Sequence, residues 1–242
     1  MTGLKLLDKT YGTAAENLAC DEALLDACDS GSGPEVLRFW EPEQHFVVLG
    51  YANKAAVEVN LDGCRERHVP VLRRCSGGGA VLQGPGCFNY SLILRFEDTP
   101  ALQSITDANC SIMKRNRDAL SPLLTHTVAI QGTTDLTVGG LKFSGNSQRR
   151  KKQSLLFHGT FLVNFDLDLV QACLRQPSKE PDYRQQRSHS DFLTNLKIPV
   201  AAIKGALQKA WPTVGGNDLV FESTMQRLTV EKYSQEDWNL KW

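Results

Sequence analysis

The chain has 242 residues, of which 41% are hydrophobic and 22% are charged, which is the usual composition of a globular protein with a sizeable core. Lysine and arginine together number 27, as do aspartate and glutamate, so the net charge is zero and a dedicated nucleic-acid binder is disfavoured. The seven cysteines never form a C-x-x-C pair, no run approaches the ~18 apolar residues of a membrane span, and the N-terminus lacks a signal-peptide core. These features predict a cytoplasmic protein without a membrane or nucleic-acid partner.

Helical and strand-like segments alternate in the first half of the chain. A capping box that starts at Thr13 predicts a helix through about Cys28. The runs "EVLRFW" and "HFVVLG" predict a β-hairpin over residues 35–50, and a helix is expected over 61–68 before the strand "VPVLRR". The aromatic run "CFNYSLILRF" predicts a buried strand, and helical spacing of apolar residues follows over 101–120.

The second half begins with predicted β-structure over residues 125–164, where a Gly-Gly pair at 139–140 favours a turn. Beyond it the pattern predicts helices over 166–174, 200–211 and 218–233, with a polar loop at 175–199. Strands in the middle and helices at both ends indicate an α+β fold, and the absence of a linker predicts one domain over 1–242.

The stretch "RRCSGGGAVLQGPGCFNYSLIL" (residues 73–94) places two arginines and three glycines between strand-like runs. Backbone N–H groups of such a loop can converge on an anion or a carbonyl group. Neither the Rossmann fingerprint nor the P-loop motif is present. Arg73 and Arg74 favour a phosphate or carboxylate ligand, because a guanidinium is the natural bidentate partner of both, but a tight turn with a bulge also fits the triplet.

A second stretch, "TTDLTVGGLKFSGNSQRRKKQSLLFHGTFLVN" (residues 133–164), holds further chemistry-bearing side chains. Lys142 follows the Gly-Gly pair and is either a solvated hairpin lysine or a site cation. Asp135 is either a strand cap or a metal and phosphate ligand. His158 is either a core histidine or part of the same site. The basic run at 149–152 fits a solvated loop or a surface for an acidic partner.

Together, "RRCSGGGAV", "DLTVGGLKFSGNSQ" and "FHGTFLVN" closely resemble the lipoate–protein ligase A family, a branch of the biotin and lipoate ligase-like fold. The similarity extends over residues 4–242. It implies a catalytic domain with a mixed, largely antiparallel sheet flanked by helices. Because the chain stops near the end of the family's large domain, we expect no C-terminal accessory domain within it. A monomer is the default expectation.

The resemblance also implies an activity. An ATP-dependent ligase of this family activates lipoate, or octanoate, to the acyl-AMP and transfers the acyl group to a lysine of a lipoyl-carrier protein or domain. The expected requirements are ATP and Mg²⁺, with lipoate as substrate. A separate accessory-domain protein is a further candidate partner.

Residue roles carry over by motif position. Lys142 would be catalytic and would bridge the acyl carbonyl and the α-phosphate. Arg74 would contact phosphate, and Asp135 would help to hold Mg²⁺ and phosphate. The other implied substrate- and ATP-binding residues are Trp40, near the mouth of the acyl tunnel, Ser76, Gly77, Gly78, Gly79, Ala80, Val81, Leu82, Gln83, Ser144, Gly145, Asn146, His158, Gly159 and Thr160.

Two alternatives stay open in the sequence. Related octanoyltransferases use a cysteine thioester instead of ATP, but one branch carries that cysteine where this chain has Thr133. Cys173 lies in a helical segment without the Pro-Cys-Gly context of the other branch, whereas Cys75 and Cys87 lie close to the glycine stretch. The second alternative is a lipoyl-binding homologue without activity. Gln83 stands where many family members carry histidine, which leaves details of the acyl tunnel open.

Overall fold

The computed structural model describes residues 3–97, 99–215 and 219–242. Its strands are β1 (Leu4–Asp8), β2 (Val36–Trp40), β3 (Phe46–Leu49), β4 (Val71–Arg73), β5 (Val81–Gln83), β6 (Cys87–Arg95), β7 (Val128–Gln131), β8 (Asp135–Val138), β9 (Leu141–Arg150), β10 (Ser154–Leu162) and β11 (Thr213–Val214). Its α-helices are α1 (Ala14–Asp29), α2 (Ala55–Glu58), α3 (Leu61–Glu66), α4 (Ile105–Leu120), α5 (Leu167–Cys173), α6 (His189–Phe192), α7 (Val200–Ala210), α8 (Glu222–Leu228) and α9 (Glu236–Asn239).

The main sheet has eight strands among the described residues, in the order β11-β1-β2-β6-β10-β9-β8-β7. β1 runs parallel to both of its neighbours, whereas the other neighbouring pairs are antiparallel. Helices cover the sheet on both faces. The fold is therefore α+β with a mixed, largely antiparallel sheet flanked by helices, as the sequence predicts.

The central strand β6 is buried on both faces, which explains its aromatic and branched sequence. Leu92 packs in a core that includes Ile112 of α4 and Leu207 of α7. Its neighbour Ile93 points to the opposite face and belongs to a core with Leu24 of α1 and further residues of α8. A polar side chain on this strand must therefore find its hydrogen-bond partners inside the protein.

A small second sheet carries the glycine triplet. β3 lies in its middle, parallel to β4 and antiparallel to β5. Val47 and Leu82 of this sheet belong to a third core, together with Val170 and Cys173 of α5. The connection from β4 to β5, residues 74–80, is the glycine loop, so the small sheet holds both ends of that loop.

The prediction of a β-hairpin over residues 35–50 is wrong. β2 pairs with β1 and β6 in the main sheet, whereas β3 pairs with β4 and β5 in the small sheet. Alternating apolar residues identify a strand, but its partners depend on contacts distant in the sequence. Residues 41–45 therefore connect two sheets instead of forming a hairpin turn.

Two predicted helices are shorter than expected. Within 101–120, α4 begins only at Ile105, because the side chain of Ser104 caps it by accepting from the backbone N–H of Asp107 at 3.0 Å. Within 61–68, α3 ends at Glu66.

The remaining differences lie towards the C-terminus. Within 218–233, α8 begins at Glu222 and continues into a π-helical turn, Thr229–Tyr233, while Asp218 lies outside the described residues. The predicted loop at 175–199 contains α6 and a 3₁₀ turn, Asp182–Arg184. None of the helices in the described ranges is long and apolar enough to cross a membrane.

Other predictions are confirmed. The side chain of Thr13 accepts from the backbone N–H of Glu16, and the Glu16 carboxylate accepts from Thr13 N–H at 2.8 Å, so the capping box starts α1. Residues 125–164 contain β7 to β10, and both glycines at 139–140 have a positive φ at the turn between β8 and β9. α5 and α7 occupy two of the predicted helical segments.

Candidate functional site

A cavity of about 930 Å³ lies beside the glycine loop and is lined by residues of both sheets. It collects most of the side chains that the family resemblance implies, from motifs far apart in the sequence. The implied residues that line it are Trp40, Arg74, Gly78, Gly79, Ala80, Val81, Leu82, Gln83, Asp135, Lys142, Ser144, Gly145, Asn146, His158, Gly159 and Thr160.

Three of the residues that the resemblance implies as substrate-binding lie elsewhere than expected. Ser76 and Gly77 do not line the cavity. Ser76 is fully buried behind its wall, with Oγ 2.6 Å from Nε2 of His158. Trp40 is only 4% exposed and stacks with Phe46 at a ring separation of 6.5 Å, so it lies within the wall and not at an exposed mouth.

The Arg74 side chain folds back onto the glycine loop. Its Nη2 donates to the carbonyls of Gly77 at 2.6 Å and Gly79 at 2.9 Å, and Nε donates to Ser76 Oγ at 3.0 Å. Nη1 donates to the Val48 carbonyl at 3.4 Å. Burial lowers the pKa of this guanidinium to about 10. Four of its five N–H groups are thus used inside the protein, and one on Nη1 has no partner among the described residues.

Arg73 has a purely internal role, contrary to the expectation that both arginines favour a ligand. Its guanidinium is fully buried and donates to backbone carbonyls of two segments. One is the loop after β3, at Gly50, Tyr51 and Asn53, and the other is the C-terminal segment, at Trp238, Asn239 and Lys241. Arg73 therefore ties the C-terminal segment to a loop that borders the cavity.

Backbone geometry explains the middle glycine of the triplet. Gly78 has φ +85°, and a Cβ there would come within 2.8 Å of Arg74 Nη2. A Cβ at Gly77 or Gly79 would meet nothing within 4 Å. The loop thus needs glycine at its centre, and the open space at Gly79, which lines the cavity, is room for a ligand to approach the backbone.

Lys142 extends its charge into the cavity. Its Nζ lies 2.8 Å from Asp135 Oδ1, and the Tyr183 hydroxyl donates to Asp135 Oδ2 at 2.7 Å. Lys142 lies on β9 beside an irregularity in the pairing of β8 with β9, at Leu136 and Thr137. The ammonium group is thus balanced by one carboxylate, for which a ligand anion would compete.

A buried polar chain lies behind the glycine loop. Asp21 Oδ2 is 2.9 Å from Nδ1 of His158, whose Nε2 contacts Ser76. Asp21 also accepts from Arg38 Nη1 at 2.6 Å and from Ser91 Oγ at 2.8 Å. Burial raises the pKa of the Asp21 carboxyl, but Arg38 and His158 more than offset this, so the pKa lies below its ordinary value. Asp21 is therefore a buried carboxylate.

A closed ring of polar side chains forms another part of the wall. Gln83 Nε2 donates to Thr160 Oγ1 at 2.6 Å, Thr160 Oγ1 donates to Asn89 Oδ1 at 2.6 Å, and Asn89 Nδ2 donates to Gln83 Oε1 at 3.0 Å. Sequence reasoning missed Asn89 and Ser91. Their signal was present, because two polar residues at a spacing of two share one face of an otherwise apolar strand.

Part of the segment predicted as a polar loop lines the cavity. Ser178 of this segment donates to the carboxylate of Glu58, and both residues border the cavity. His189 also borders it, and burial together with the charges of Arg184 and Lys142 lowers its pKa to about 4. No motif marked these residues, because contacts distant in the sequence bring them to the cavity, such as that of Ser178 with Glu58.

None of the cysteines lines the cavity, and all of them lie in the described part of the chain. Burial raises the pKa of the Cys75 and Cys87 thiols to about 12 and raises that of Cys173 as well. Thr133, at the position of the transferase cysteine, does line the cavity. The site therefore presents no thiolate nucleophile.

The described residues hold no cluster of three or more histidine, cysteine, aspartate or glutamate side chains that could cage a metal ion. Asp135 is the implied Mg²⁺ ligand, and both of its oxygens already have partners. Mg²⁺ in nucleotide sites is commonly bound by one or two carboxylates, substrate phosphates and water. Of the implied residues, Asp135 is the one that would hold an ion arriving with a phosphate ligand.

Comparison with known proteins identifies the family. Residues 13–210 match the lipoyl protein ligase A/B catalytic domain. The chain belongs to this family. The lipoate-protein ligase A subunit 1 of Thermoplasma acidophilum is 27% identical to it, over 99% of this chain and 97% of its own length. The octanoyltransferase LipM of Carboxydothermus hydrogenoformans is 30% identical, over 97% of each chain.

Solved structures agree with this membership. A crystal structure of lipoate-protein ligase A bound with ATP has a TM-score of 0.79 at 26% identity and covers 99% of both chains. The bipartite lipoate protein ligase of T. acidophilum has a TM-score of 0.83 at 25% identity, over 99% of this chain and 96% of its own. The protein is thus a lipoyl or octanoyl transfer enzyme by family. The relatives it matches include both ligases and octanoyltransferases.

Proposed function

We propose that the protein is an ATP-dependent lipoate–protein ligase that forms an acyl-adenylate from lipoate or octanoate and transfers the acyl group to a lysine of a lipoyl-carrier domain. One observation carries the proposal. The cavity offers cationic and N–H donors suited to an acyl-adenylate, Lys142 among them, while every cysteine lies outside its lining.

The cavity suits the two halves of an acyl-adenylate. Leu18, Trp40, Val48 and Val81 supply apolar lining for a fatty-acyl chain. Lys142 and the glycine loop supply positive charge and open backbone for the phosphate. Because these features share one cavity, the acyl carboxylate and the α-phosphate can meet there.

In the first step, a carboxylate oxygen of lipoate attacks the α-phosphorus of ATP, the new P–O bond forms, and pyrophosphate leaves. Two anions approach each other, so the site must supply positive charge where negative charge develops. Lys142 does this by exchanging the Asp135 carboxylate for the α-phosphate, while Asp135 keeps the hydrogen bond from Tyr183.

In the second step, the neutral amine of a carrier lysine attacks the acyl carbonyl, loses a proton as the amide forms, and displaces AMP. Lys142 stabilises the oxyanion of this step as well, since it bridges the carbonyl and the phosphate. No protein nucleophile is needed, which agrees with the raised pKa of the buried Cys75 and Cys87 thiols.

Mg²⁺, when bound through Asp135 and the phosphates, would neutralise charge on the departing pyrophosphate. Asp135 would be the residue that holds this ion once a phosphate has replaced it as the partner of Lys142. The protein supplies the lysine, the loop and the carboxylate, and the metal adds charge only where ATP brings it.

A lipoyl-carrier domain is the proposed acyl acceptor. The bipartite relative was described together with its E2 lipoyl domain, and the relative named subunit 1 implies a second subunit in that system. We extend both to this chain as proposed partners.

The basic run at 149–152 is partly engaged within the chain. Arg150 donates to carbonyls of residues 102–103, and Lys151 contacts Asp26. The other two, Arg149 and Lys152, are exposed, and a surface for an acidic partner stays a proposal for these two side chains.

A second candidate is ATP-independent octanoyl transfer, which the names of the LipM relatives favour. It requires an acyl donor protein and a nucleophile in the site. Thr133 occupies the cysteine position of one such branch, and a threonine hydroxyl is a far weaker nucleophile than a thiolate.

Intact-mass analysis of an apo lipoyl domain tests the proposal. The domain is incubated with the protein, lipoate, ATP and Mg²⁺, with omission of ATP and the Lys142→Ala variant as controls. We expect one lipoyl mass increment that needs both ATP and Lys142. An increment without ATP, from an octanoylated carrier donor, would establish the second candidate instead. Formation of lipoyl-AMP without transfer would mean that an accessory subunit completes the second step.

A further inference from the structure

The buried chain from Asp21 through His158 to Ser76 has the hydrogen-bond order of a catalytic serine–histidine–aspartate array, yet Ser76 does not line the cavity. It is also fully buried. A substrate therefore cannot reach its hydroxyl, and the array has no nucleophilic role.

Donor and acceptor matching fixes the direction of the chain. Asp21 is a carboxylate and only accepts, so Nδ1 of His158 is the donor between them. Ser76 Oγ accepts from Arg74 Nε and otherwise contacts only His158 Nε2. If Nε2 also carried a proton, the Ser76 hydroxyl would have no acceptor within the described residues. Every donor is satisfied when His158 is the neutral tautomer protonated on Nδ1 and Ser76 donates to Nε2.

The orientation of the Ser76 hydroxyl determines how it contacts Arg74. With its proton committed to His158, Ser76 presents a lone pair to Nε of Arg74. That bond, a second bond from Nε to the Gly77 carbonyl at 3.1 Å and the bond from Nη1 to the Val48 carbonyl together set the plane of the guanidinium. In this plane Nη2 points at the carbonyls of Gly77 and Gly79.

The two carbonyls in turn orient two peptide N–H groups. In a trans peptide the C=O and the following N–H point in opposite directions. Because Gly77 C=O and Gly79 C=O face Arg74, the N–H groups of Gly78 and Ala80 point away from it. Neither N–H finds an acceptor in the described residues, and both residues line the cavity. They form a pair of free donors suited to an anionic oxygen.

We propose that Asp21, His158 and Ser76 are positioning residues: through Arg74 they fix the glycine loop so that the N–H groups of Gly78 and Ala80 receive the phosphate of the acyl-adenylate. The recognition of that phosphate rests on the function proposed above, whereas the hydrogen-bond order of the chain does not. Three widely separated parts of the sequence, in α1, β10 and the glycine loop, thus act on one pair of peptide groups.

NMR spectroscopy tests the hydrogen-bond order without any activity. Nitrogen-15 shifts of the His158 ring, assigned with His158→Gln, are measured in the wild type, in Ser76→Ala and in Ser154→Ala. Ser154 is a matched control, because it is a fully buried serine on β10 whose hydroxyl contacts Cys28 and not this chain. We expect a neutral ring protonated on Nδ1, whose Nε2 signal moves in Ser76→Ala only. The amide signals of Gly78 and Ala80 should move with it.

Binding of a non-hydrolysable lipoyl-adenylate, with a sulfamoyl group in place of the phosphoryl group, tests the consequence. Calorimetry should show an affinity about tenfold weaker for Ser76→Ala, the size expected for two misaligned hydrogen bonds to an anion, and no change for Ser154→Ala. His158→Gln keeps an acceptor for Ser76 and should lose less affinity than His158→Leu.

A His158 ring protonated on Nε2, or Gly78 and Ala80 amide signals that ignore Ser76→Ala, would overturn the positioning role. So would equal losses of affinity in His158→Gln and His158→Leu. If the wild type fails to bind the adenylate analogue while the NMR results hold, the proposed ligand is wrong and the hydrogen-bond order stands.

Discussion

Lys142 illustrates how a single residue prepares the site for an anion. Its ammonium group is held in the cavity by one carboxylate, Asp135, and is about three-quarters shielded, with 24% of the side chain exposed. In such a partly buried place a positive charge interacts with a ligand more strongly than it would in water. In the proposed reaction, a ligand anion would replace Asp135 as the partner of this charge.

Replacement of Lys142 by alanine should therefore impair acyl transfer. Loss of one donor to a developing negative charge typically costs about 3 kcal/mol, so we expect a rate at least about 100-fold lower. The rate of lipoyl-domain modification is compared with that of Lys209→Ala, which removes an exposed lysine on α7. Similar rates for the two variants would contradict the role of Lys142.

The exposure of each cysteine predicts which thiol an alkylating reagent reaches. Cys110 is exposed, while the other six are buried. Brief treatment of the native protein with iodoacetamide near neutral pH should add one carbamidomethyl group, at Cys110, without loss of activity. Peptide mass mapping locates the adduct. Inactivation that follows labelling of Cys75 or Cys87 would instead indicate a thiol in the mechanism.

The glycine loop shows how an element creates a site that no single residue creates. Arg74 holds the loop from behind, and the open space beside Gly77 and Gly79 leaves its backbone accessible. Gly50, which directly follows β3, packs closely against the loop. A Cβ at this position would collide with the Gly78 carbonyl.

An alanine scan of the triplet should separate its members. Gly78→Ala forces a side chain into a positive φ and against Arg74, so we expect a loss of at least about 1 kcal/mol of stability and a strong loss of activity. Gly79→Ala has room and should keep the stability of the wild type. Urea unfolding and the transfer assay check both variants. Equal behaviour of the two would mean that the loop adopts another conformation.

The sequence predicted most elements because their signals are local. The capping box at Thr13 and the aromatic run of β6 each specify one segment. Pairing between segments is different. The predicted hairpin failed because β2 and β3 find partners in different sheets, and nothing within residues 35–50 records those partners. The start of α4 moved for a different, local reason, since the Ser104 cap places it at Ile105 and the spacing of apolar residues does not mark that position.

The residues of the candidate site also differ in whether a local sequence signal marks them. The motif residues were predicted because the family resemblance marks them. Asp21, Asn89 and His189 were missed, because each has a partner or a neighbouring charge far away in the sequence, at His158, Thr160 and Lys142 respectively. For Asn89, the alternation of polar residues on a buried strand was a usable physical signal, whereas His189 stands in a polar segment where no pattern marks it.

At the scale of the whole molecule, the site and the stability of the fold are linked through buried polar groups. His189 is one example, because burial and the charges of Arg184 and Lys142 keep it neutral in the folded protein. Its pKa falls from 6.5 to about 4 on folding. Below pH 6.5 the unfolded chain binds a proton that the folded protein does not, so stability is lost as the pH falls from 6.5 towards 4.

The His189→Gln variant tests this linkage. From the two pKa values, the wild type should lose about 2 kcal/mol of unfolding free energy through this group between pH 7 and pH 5. Glutamine does not titrate, so the variant should show a correspondingly smaller loss. Urea unfolding at both pH values measures the difference. An identical pH dependence for the two proteins would place His189 in a solvated environment in the folded state.

The central claim, that a carboxylate of the acyl substrate becomes joined to AMP, is tested most directly by oxygen labelling. Lipoate labelled with oxygen-18 in its carboxylate is incubated with the protein, ATP, Mg²⁺ and an apo lipoyl domain, and the AMP produced is analysed by mass spectrometry. An adenylate route transfers one labelled oxygen to AMP, because the bond between the acyl carbon and that oxygen breaks in the second step. We predict AMP that carries one oxygen-18 in proportion to the lipoylated domain. Lipoylated domain formed with unlabelled AMP, or without AMP, would contradict the acyl-adenylate and with it the account of this site.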